Sequence, residues 1–320
     1  MLFTKDVLRL DSAAEAERII EFIKDQIQTM HRKGIVIGLS GGVDSALSAA
    51  LSVRAIGKER VLALLLPDRE SSPQSAEFGT KQAKALGIET ITVDITPMLE
   101  AFGTYEKRDA VARSIFPDYG KGFGLKITLP SDILNKDGYN FFNLTVIDPA
   151  GAARTTRLNN DQALGIIAAT STKHRTRMMT QYYYAEKLNY LVCGTTNKSE
   201  AVQGLFVKYG DGGVDIEPIA HLYKNQVFQL AEHLGVIPEI IARAPCPDTY
   251  SAPVTDEEWF FRMPYKQLDL LLYAWENKVG IPDVCRIMEL REDQVKRVFR
   301  DFESKHRTTE HLRQFPPSLP

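Results

Sequence analysis

A chain of 320 residues with 44% hydrophobic and 25% charged residues has the composition of a folded globular protein, which excludes long disorder, collagen and low-complexity arrays. Its net charge of -2 argues against a dedicated nucleic-acid binder. No apolar run approaches the roughly 18 residues needed to span a bilayer. The opening stretch MLFTKDVLRLDSAAEAERII is acidic and lacks the basic-then-apolar order of a signal peptide, so a cytoplasmic protein without a membrane partner is expected. Cys193, Cys246 and Cys285 are too few and too scattered for a disulfide framework, and no CxxC offers a zinc site.

Ser12 followed by Glu15 reads as a capping box, and Ala16, Ile19, Ile20, Ile23, Ile27 and Met30 recur at helical spacing over 12–32, with Gly34 as terminator. IVIGL at 35–39 reads as a buried strand, 44–56 as a helix, 61–66 as the next strand, and 75–86 as a helix capped by Gly87. ITVD at 91–94 is the third strand. Strand–helix–strand alternation at this spacing predicts βαβ units and a parallel sheet flanked by helices, an α/β fold. From about 115 to 160 the helical period fades. Strands at 126–129 and 139–147, with Pro130 and an Asn-Lys-Asp-Gly turn between them, predict an inserted hairpin-like, β-rich element. Helical order returns near 173–187, followed by a strand at 190–193 and a helix at 222–234 closed by Gly235. Pro245, Pro247 and Pro253 mark a loop. A helical C-terminal part follows, about 255–305, and then an irregular FPPSLP tail. Residues 1–320 are read as one domain.

Ser40-Gly41-Gly42-Val43-Asp44-Ser45 lies directly after a strand and before a helix. Glycines let backbone N–H groups approach an oxyanion closely, and the helix dipole points positive charge at the same place. Ser40 and Ser45 add hydroxyls. Asp44 repels a bare phosphate, which points to a bridging Mg²⁺. The loop is neither a Walker A sequence nor GxGxxG; the plain alternative is a Ser-Gly turn capped by Asp44. Gly194-Thr195-Thr196-Asn197-Lys198-Ser199-Glu200 follows the 190–193 strand, at the carboxyl edge where α/β sheets place ligands. Glu200 either shares a Mg²⁺ with Asp44 or complements a helix N-terminus. Lys208-Tyr209-Gly210-Asp211-Gly212-Gly213-Val214-Asp215 is a tight polar loop or a surface turn. Lys224 opens a helix, where the dipole disfavours it, as a functional cation or a solvated lysine. Lys173-His174-Arg175-Thr176-Arg177 is a basic cluster, suited to phosphate contacts or to a solvated face.

SGGxDS after a first strand resembles the PP-loop of the N-type ATP pyrophosphatases. GTTNKSE followed by KYGDGGVDIEP, within RTRMMTQYYYAEKLNYLVCGTTNKSEAVQGLFVKYGDGGVDIEPIAHLYKNQVFQL, together with TEHLRQ in the tail, resembles the ammonia-dependent NAD synthases. The resemblance implies an adenine nucleotide α-hydrolase-like, Rossmann-like fold. It implies that Ser40, Gly41, Gly42, Val43, Asp44 and Ser45 hold the ATP phosphates, that Thr195, Lys224 and the Cys246 position contact ATP, and that Asp44 and Glu200 bind Mg²⁺. Arg175, Lys208, Asp215 and His311 would contact deamido-NAD, with Asp211 near the reacting centre, positioning ammonia. Asp44, Lys224 and Asp211 are then the catalytic candidates, in a homodimer that binds the dinucleotide near the subunit interface. The implied reaction adenylates the nicotinate carboxylate, releasing pyrophosphate, and ammonia then displaces AMP.

The chain departs from that pattern at named places. Cys246 stands where the family has Thr or Ser. Pro247-Asp248-Thr249-Tyr250 replaces an acidic Ala-Asp-Leu segment, and Leu312 replaces a basic residue beside the histidine. An Asn-containing stretch before the basic cluster reads Ala168-Ala169-Thr170-Ser171-Thr172 here, and the 115–160 segment is longer than its counterpart. That segment motivates a second reading, an amide ligase for another carboxylate; a non-catalytic nucleotide-binding relic is a third. The length leaves no room for a nitrilase-like glutaminase domain, which implies free ammonia or a separate protein as nitrogen source.

Overall fold

The computed structural model describes residues 3–130, 132–136 and 140–319. Helix α1 (Ser12–Thr29) is capped by Asp11, whose carboxylate accepts the Ala14 N–H at 3.1 Å. The cap therefore falls one residue before the expected Ser12. Asp and Ser are comparable N-caps, and the Asp11 charge also complements the helix dipole. The helix stops at Thr29, short of 32, and the chain turns through His31 at φ 53°. Its buried stripe of Ile19, Ile23 and Ile27 packs with Leu47 and Leu51 of α2 (Val43–Ile56) in the main core.

Strands β1 (Ile35–Gly38), β2 (Val61–Leu65), β3 (Glu89–Thr92) and β7 (Leu191–Cys193) form a parallel sheet in the order β3-β2-β1-β7. The α/β expectation holds. β1 and β2 are buried along nearly their whole length, which is why they read as continuous apolar runs. Helix α3 (Pro73–Leu86) joins β2 to β3 and ends at Gly87 in the left-handed region, as expected. After β3 the chain crosses to the other side of β1, and β7 pairs there with Ile35 opposite Leu191.

Between β3 and β7 lies the segment the sequence resolved least. Two helices the periodicity left unassigned, α4 (Thr96–Phe102) and α5 (Thr104–Ile115), come first. The expected hairpin is a three-stranded antiparallel sheet of β4 (Gly124–Thr128), β5 (Asn143–Ile147) and β6 (Ala153–Arg157). The β6 sequence ARTTR carries no apolar alternation because it is an exposed edge, so period-2 reasoning misses it. Asp137, Gly138 and Tyr139 of the expected turn and strand lie outside the described residues. Leu125, Ile127, Leu144 and Val146 turn inward against Ala112 of α5 and Ile166 of α6 (Asn160–Leu188). Helix α6 begins well before the expected 173, with an Asn159/Gln162 capping box. The C-terminal helices α10 (Tyr265–Glu276), α11 (Ile281–Met288) and α12 (Glu292–Thr308) enclose their own core of Leu268, Leu271, Val295, Val298 and Phe302, joined by Phe3 and Leu8.

A buried ion network ties α5 and α6 to the loop after β2. Lys173 Nζ donates to Asp68 at 3.1 Å, to Glu70 at 2.8 Å and to the Thr249 carbonyl at 3.0 Å. Arg108 donates to Glu70 and Arg177 to Asp68. The basic cluster expected on a helix face thus neutralises carboxylates inside the fold through Lys173 and Arg177. Burial pushes the Asp68 and Glu70 carboxyls up, but Lys173 and Arg177 for Asp68, and Arg108 and Lys173 for Glu70, outweigh it and leave both lowered. Lys173→Met removes the shared cation and strands two buried carboxylates. We expect a loss of about 3–5 kcal/mol in urea denaturation. Because the folded pKa values lie below the unfolded ones, this stabilisation is complete above about pH 5 and disappears as the pH falls through the lowered values. The acid-induced loss of stability should therefore be shallower in the variant.

Candidate active site

The loops after β1 and β7 emerge side by side at the carboxyl edge, where the strand order reverses. Open parallel sheets bind ligands at such a point. A cavity of about 620 Å³ opens there, lined by both loops, by α6, by the 205–214 segment and by the Pro-rich 244–250 loop.

The first loop is built as a cradle. Gly41 sits at φ 76°, and a Cβ on it would lie 2.4 Å from the Ser75 carbonyl, so only glycine fits. At Gly42 a Cβ would meet nothing nearer than Ser40 Oγ at 3.4 Å, which leaves its face open to the cavity. Ser40 Oγ and Ser45 Oγ are 3.0 Å apart, the Gly42 N–H donates to Ser40 Oγ at 3.3 Å, and Ser45 Oγ donates to the Gly42 carbonyl at 3.0 Å. Val43 and Asp44 open α2 and line the cavity, so the helix dipole is aimed into it.

Asp44, Glu200 and Lys224 meet. Lys224 Nζ donates to Asp44 Oδ2 at 2.6 Å and to Glu200 Oε1 at 3.1 Å. Lys224 opens α8 (Lys224–His233) yet is only 2% exposed, so the solvated-lysine alternative fails. Burial acts against its ammonium, but Asp44, Glu200 and Asp256 outweigh that and raise its pKa. Glu200 is raised to about 8 by burial, with Asp44 and Asp256 adding to the rise and Lys224 opposing it. Of the two readings of Glu200, the structure bears on the helix-terminus one. Glu200 is the N3 residue of a capping box on α7 (Lys198–Gln203), and its carboxylate also faces Lys224. Asn197, the cap of that helix, donates its side-chain N–H to Asp44 at 2.9 Å and fixes the carboxylate.

The second loop owes its path to Glu217. A Cβ on Gly194 would lie 2.5 Å from that carboxylate, which accepts the Thr196 N–H at 3.1 Å. Thr195 is thereby placed on the cavity wall. Burial raises the Glu217 pKa to about 8.

Arg175, Lys208 and Asp211 also line the cavity. Lys208 Nζ donates to the carbonyls of His311 at 2.8 Å and Gln314 at 3.0 Å, which pins the C-terminal tail beside the cavity. Asp211 accepts the Val207 N–H at 2.8 Å. Asp215 and His311 do not reach the cavity lining. The Asp215 carboxylate accepts the Val192 N–H at 2.7 Å and the Tyr182 hydroxyl at 3.1 Å, and the His311 side chain is exposed. Cys246 lines the cavity, and burial pushes its thiol up, so it is no activated nucleophile.

Sequence reasoning missed three residues here. Arg243 lines the cavity and donates to the Gly41 carbonyl at 3.4 Å and to Ser75 Oγ at 3.0 Å. Asp256 is buried near Lys224, its pKa raised by burial. Neither stands in a local pattern, since only the fold brings it here. Asn197 was legible as an Asn three residues before Glu200, an N-cap signal. The inserted sheet contributes as well: Phe142, just before β5, forms cavity wall with Ile167, Trp259 and Phe260.

A family model described as NAD synthase matches residues 15–115 and 138–316. The unmatched stretch, 116–137, is narrower than the 115–160 departure expected from the sequence. The chain is 44% identical over 316 residues to the NH(3)-dependent NAD(+) synthetase of Rhizobium meliloti (strain 1021), covering 99% of this chain and 94% of that protein. It is 39% identical to the protein of the same name from Thermotoga maritima, covering 86% and 95%. Among solved structures, the NH3-dependent NAD synthetase of Campylobacter jejuni superposes with a TM-score of 0.64 at 23% identity, covering 97% of this chain and all of that one. The NMN synthetase of Francisella tularensis superposes at 0.67 and 22%, covering 97% and 99%; at these identities the likeness is one of fold. With a family model matched over most of its length and a relative 44% identical across 99% of it, this chain belongs to the NAD synthase family.

Proposed function

We propose that this protein amidates nicotinic acid adenine dinucleotide (deamido-NAD) to NAD, using ATP and ammonia and releasing AMP and pyrophosphate. The observation that carries the reading is the cluster in which Asp44, Glu200 and Lys224 meet beside the 40–45 cradle. Five relatives at 37–44% identity share the name NH(3)-dependent NAD(+) synthetase, and the chain spans 93–97% of their lengths. Free ammonia is therefore read as the nitrogen donor. The alternative of a different carboxylate rested on the 115–160 segment. That segment lies within the 99% of the chain aligned to the Rhizobium meliloti relative, so the alternative loses its motive.

In this reading the N–H groups and hydroxyls of Ser40–Ser45 hold the ATP phosphates, while Thr195, Lys224 and the Cys246 wall complete the nucleotide site. Mg²⁺ is commonly held by one or two carboxylates together with substrate phosphates. Asp44 and Glu200 are that pair, in hard oxygen donors; no ready-made three-ligand cage exists among the described residues. Burial and the neighbouring acids hold Glu200 and Asp256 toward their neutral forms, and a dication seated between Asp44 and Glu200 would favour the ionised carboxylate of Glu200. When bound, the ion supplies charge neutralisation for the leaving pyrophosphate. Lys224 adds a fixed positive charge at the same place. Arg175 and Lys208 are read as contacts for the dinucleotide inside the cavity, Asp215 and His311 as contacts outside it, and Asp211 as positioning ammonia.

We read residues 1–320 as one catalytic unit, since lining residues from Gly38 to Leu312 share one cavity. A homodimer is supported by Leu164, Met179 and Tyr183, which leave apolar surface exposed along α6. The three free cysteines suit the reducing cytoplasm, and no helix among the described residues is long and apolar enough to cross a membrane.

Mass spectrometry of a mixture with ATP, Mg²⁺, ammonium and deamido-NAD should yield NAD and AMP in equal amounts; ATP-binding protein that makes neither refutes the reading. Asp44→Asn should lower turnover by at least about 100-fold and, with Glu200→Gln, weaken the Mg²⁺ dependence of the rate. A relic nucleotide-binding protein would show no turnover to lose. Sedimentation velocity should give a dimer at micromolar concentration, and a monomer would remove the subunit-interface reading.

A further inference from the structure

Amidation of an adenylate needs a base. When ammonia bonds to the acyl carbon, its nitrogen becomes positive and must lose a proton before the amide can form. Most acidic groups in the cavity are already committed. Asp44 and Glu200 share Lys224, Asp256 accepts the Tyr265 hydroxyl at 3.0 Å, and Asp248 accepts the Ser72 N–H at 3.0 Å.

His174 is the one imidazole lining the cavity among the described residues. It projects from α6 with Nδ1 3.4 Å from Asp211 Oδ1 and Nε2 3.4 Å from Thr249 Oγ1. The Thr249 hydroxyl also lies 2.8 Å from the Pro247 carbonyl. This geometry accommodates both protonation states. In the neutral ring Nδ1–H donates to Asp211, and Nε2 accepts from the Thr249 hydroxyl. In the cation Nε2–H donates to Thr249 Oγ1, whose own hydrogen turns to Pro247. A proton thus arrives at Nε2 without stranding a neighbour.

We propose that His174 is the base that accepts the proton from the attacking ammonia, with Asp211 orienting the ring. This rests on the amidation reading above. In the step, the nitrogen–carbon bond forms, one proton passes from that nitrogen to Thr249 Oγ1, and the hydrogen that hydroxyl already carried moves to Nε2. The bond from the acyl carbon to the AMP oxygen then breaks, leaving its electron pair on AMP. The products are the amide, AMP and protonated His174. An unperturbed imidazole is a stronger base than an unperturbed carboxylate by about two to three pKa units, which is the chemical reason to assign the task to a ring.

The groups facing the ring fix its resting state. Burial lowers the His174 pKa, Asp211 raises it, and Arg177, Lys173 and Arg175 lower it further, for a net lowering. That lowering favours the neutral ring, the form that accepts a proton.

The experiment separates the two half-reactions of the full-length enzyme. ATP–pyrophosphate exchange with deamido-NAD, in the absence of ammonia, reads adenylation. Ammonia-dependent turnover reads the second step. Hydroxylamine, a weaker base that is unprotonated at neutral pH, serves as a nucleophile that needs less help. His174→Ala should lower ammonia-dependent kcat about 100-fold at neutral pH. Exchange should stay within about twofold, most hydroxylamine-dependent turnover should remain, and the acidic limb of the pH–kcat profile should disappear. His174→Gln keeps the polar volume and carries the same test if the alanine variant melts early. Equal losses in exchange and amidation, or no loss in amidation, would overturn the assignment. Wild-type protein without exchange would instead remove the amidation reading beneath it.

Discussion

The site depends on one buried ammonium. Lys224 has no reason to leave water unless carboxylates meet it, and Asp44 and Glu200 come from loops that are distant in sequence. An unpaired buried charge is costly enough to unfold a domain of ordinary stability. The cluster is therefore a condition on the fold as well as a feature of the cavity. It requires the β1 loop, the β7 loop and the start of α8 to arrive together. The strand order β3-β2-β1-β7 satisfies this by placing β1 and β7 side by side at the reversal point.

A second charge cluster is centred on Lys173. It joins the loop after β2, helices α5 and α6, and the Thr249 carbonyl. The two clusters are built alike, each with a lysine shared by two carboxylates. They differ in access: Asp44, Glu200 and Lys224 border the cavity, whereas Lys173 lies outside its lining. That difference separates a group that can act on a ligand from one that holds the wall against which the ligand rests.

How much of this was legible depended on where the information lay. The parallel sheet was readable because β1 and β2 are buried runs bounded by Gly-rich turns and amphipathic helices. The cradle was readable because Gly41, Gly42, Ser40 and Ser45 are consecutive and their chemistry is local. Lys224 as a buried ligand was open between two readings, since a lone lysine carries no mark of its neighbours. Arg243 and Asp256 were unreadable for the same reason. Edge strand β6 and the first turns of α6 failed on a different ground: ARTTR has no apolar face to betray a strand, and GIIAATST is rich in residues that fit helix or sheet. Capping misled by one residue at α1, where Asp11 and Ser12 are both good caps.

Helix α6 runs for 29 residues, about 44 Å at the usual rise. Its first turns pack through Ala163 and Ile166 into the antiparallel sheet. Its middle presents Lys173, His174, Arg175 and Arg177, and farther on Gln181 accepts the Gly38 N–H at 3.0 Å, at the end of β1. A single unbroken rod thus touches the inserted sheet, the cavity lining and the strand that leads into the 40–45 loop. Rods transmit displacement where loops absorb it. Anything that loads the outer sheet of this protein is mechanically in series with the cavity lining, although no residue of β6 enters that lining.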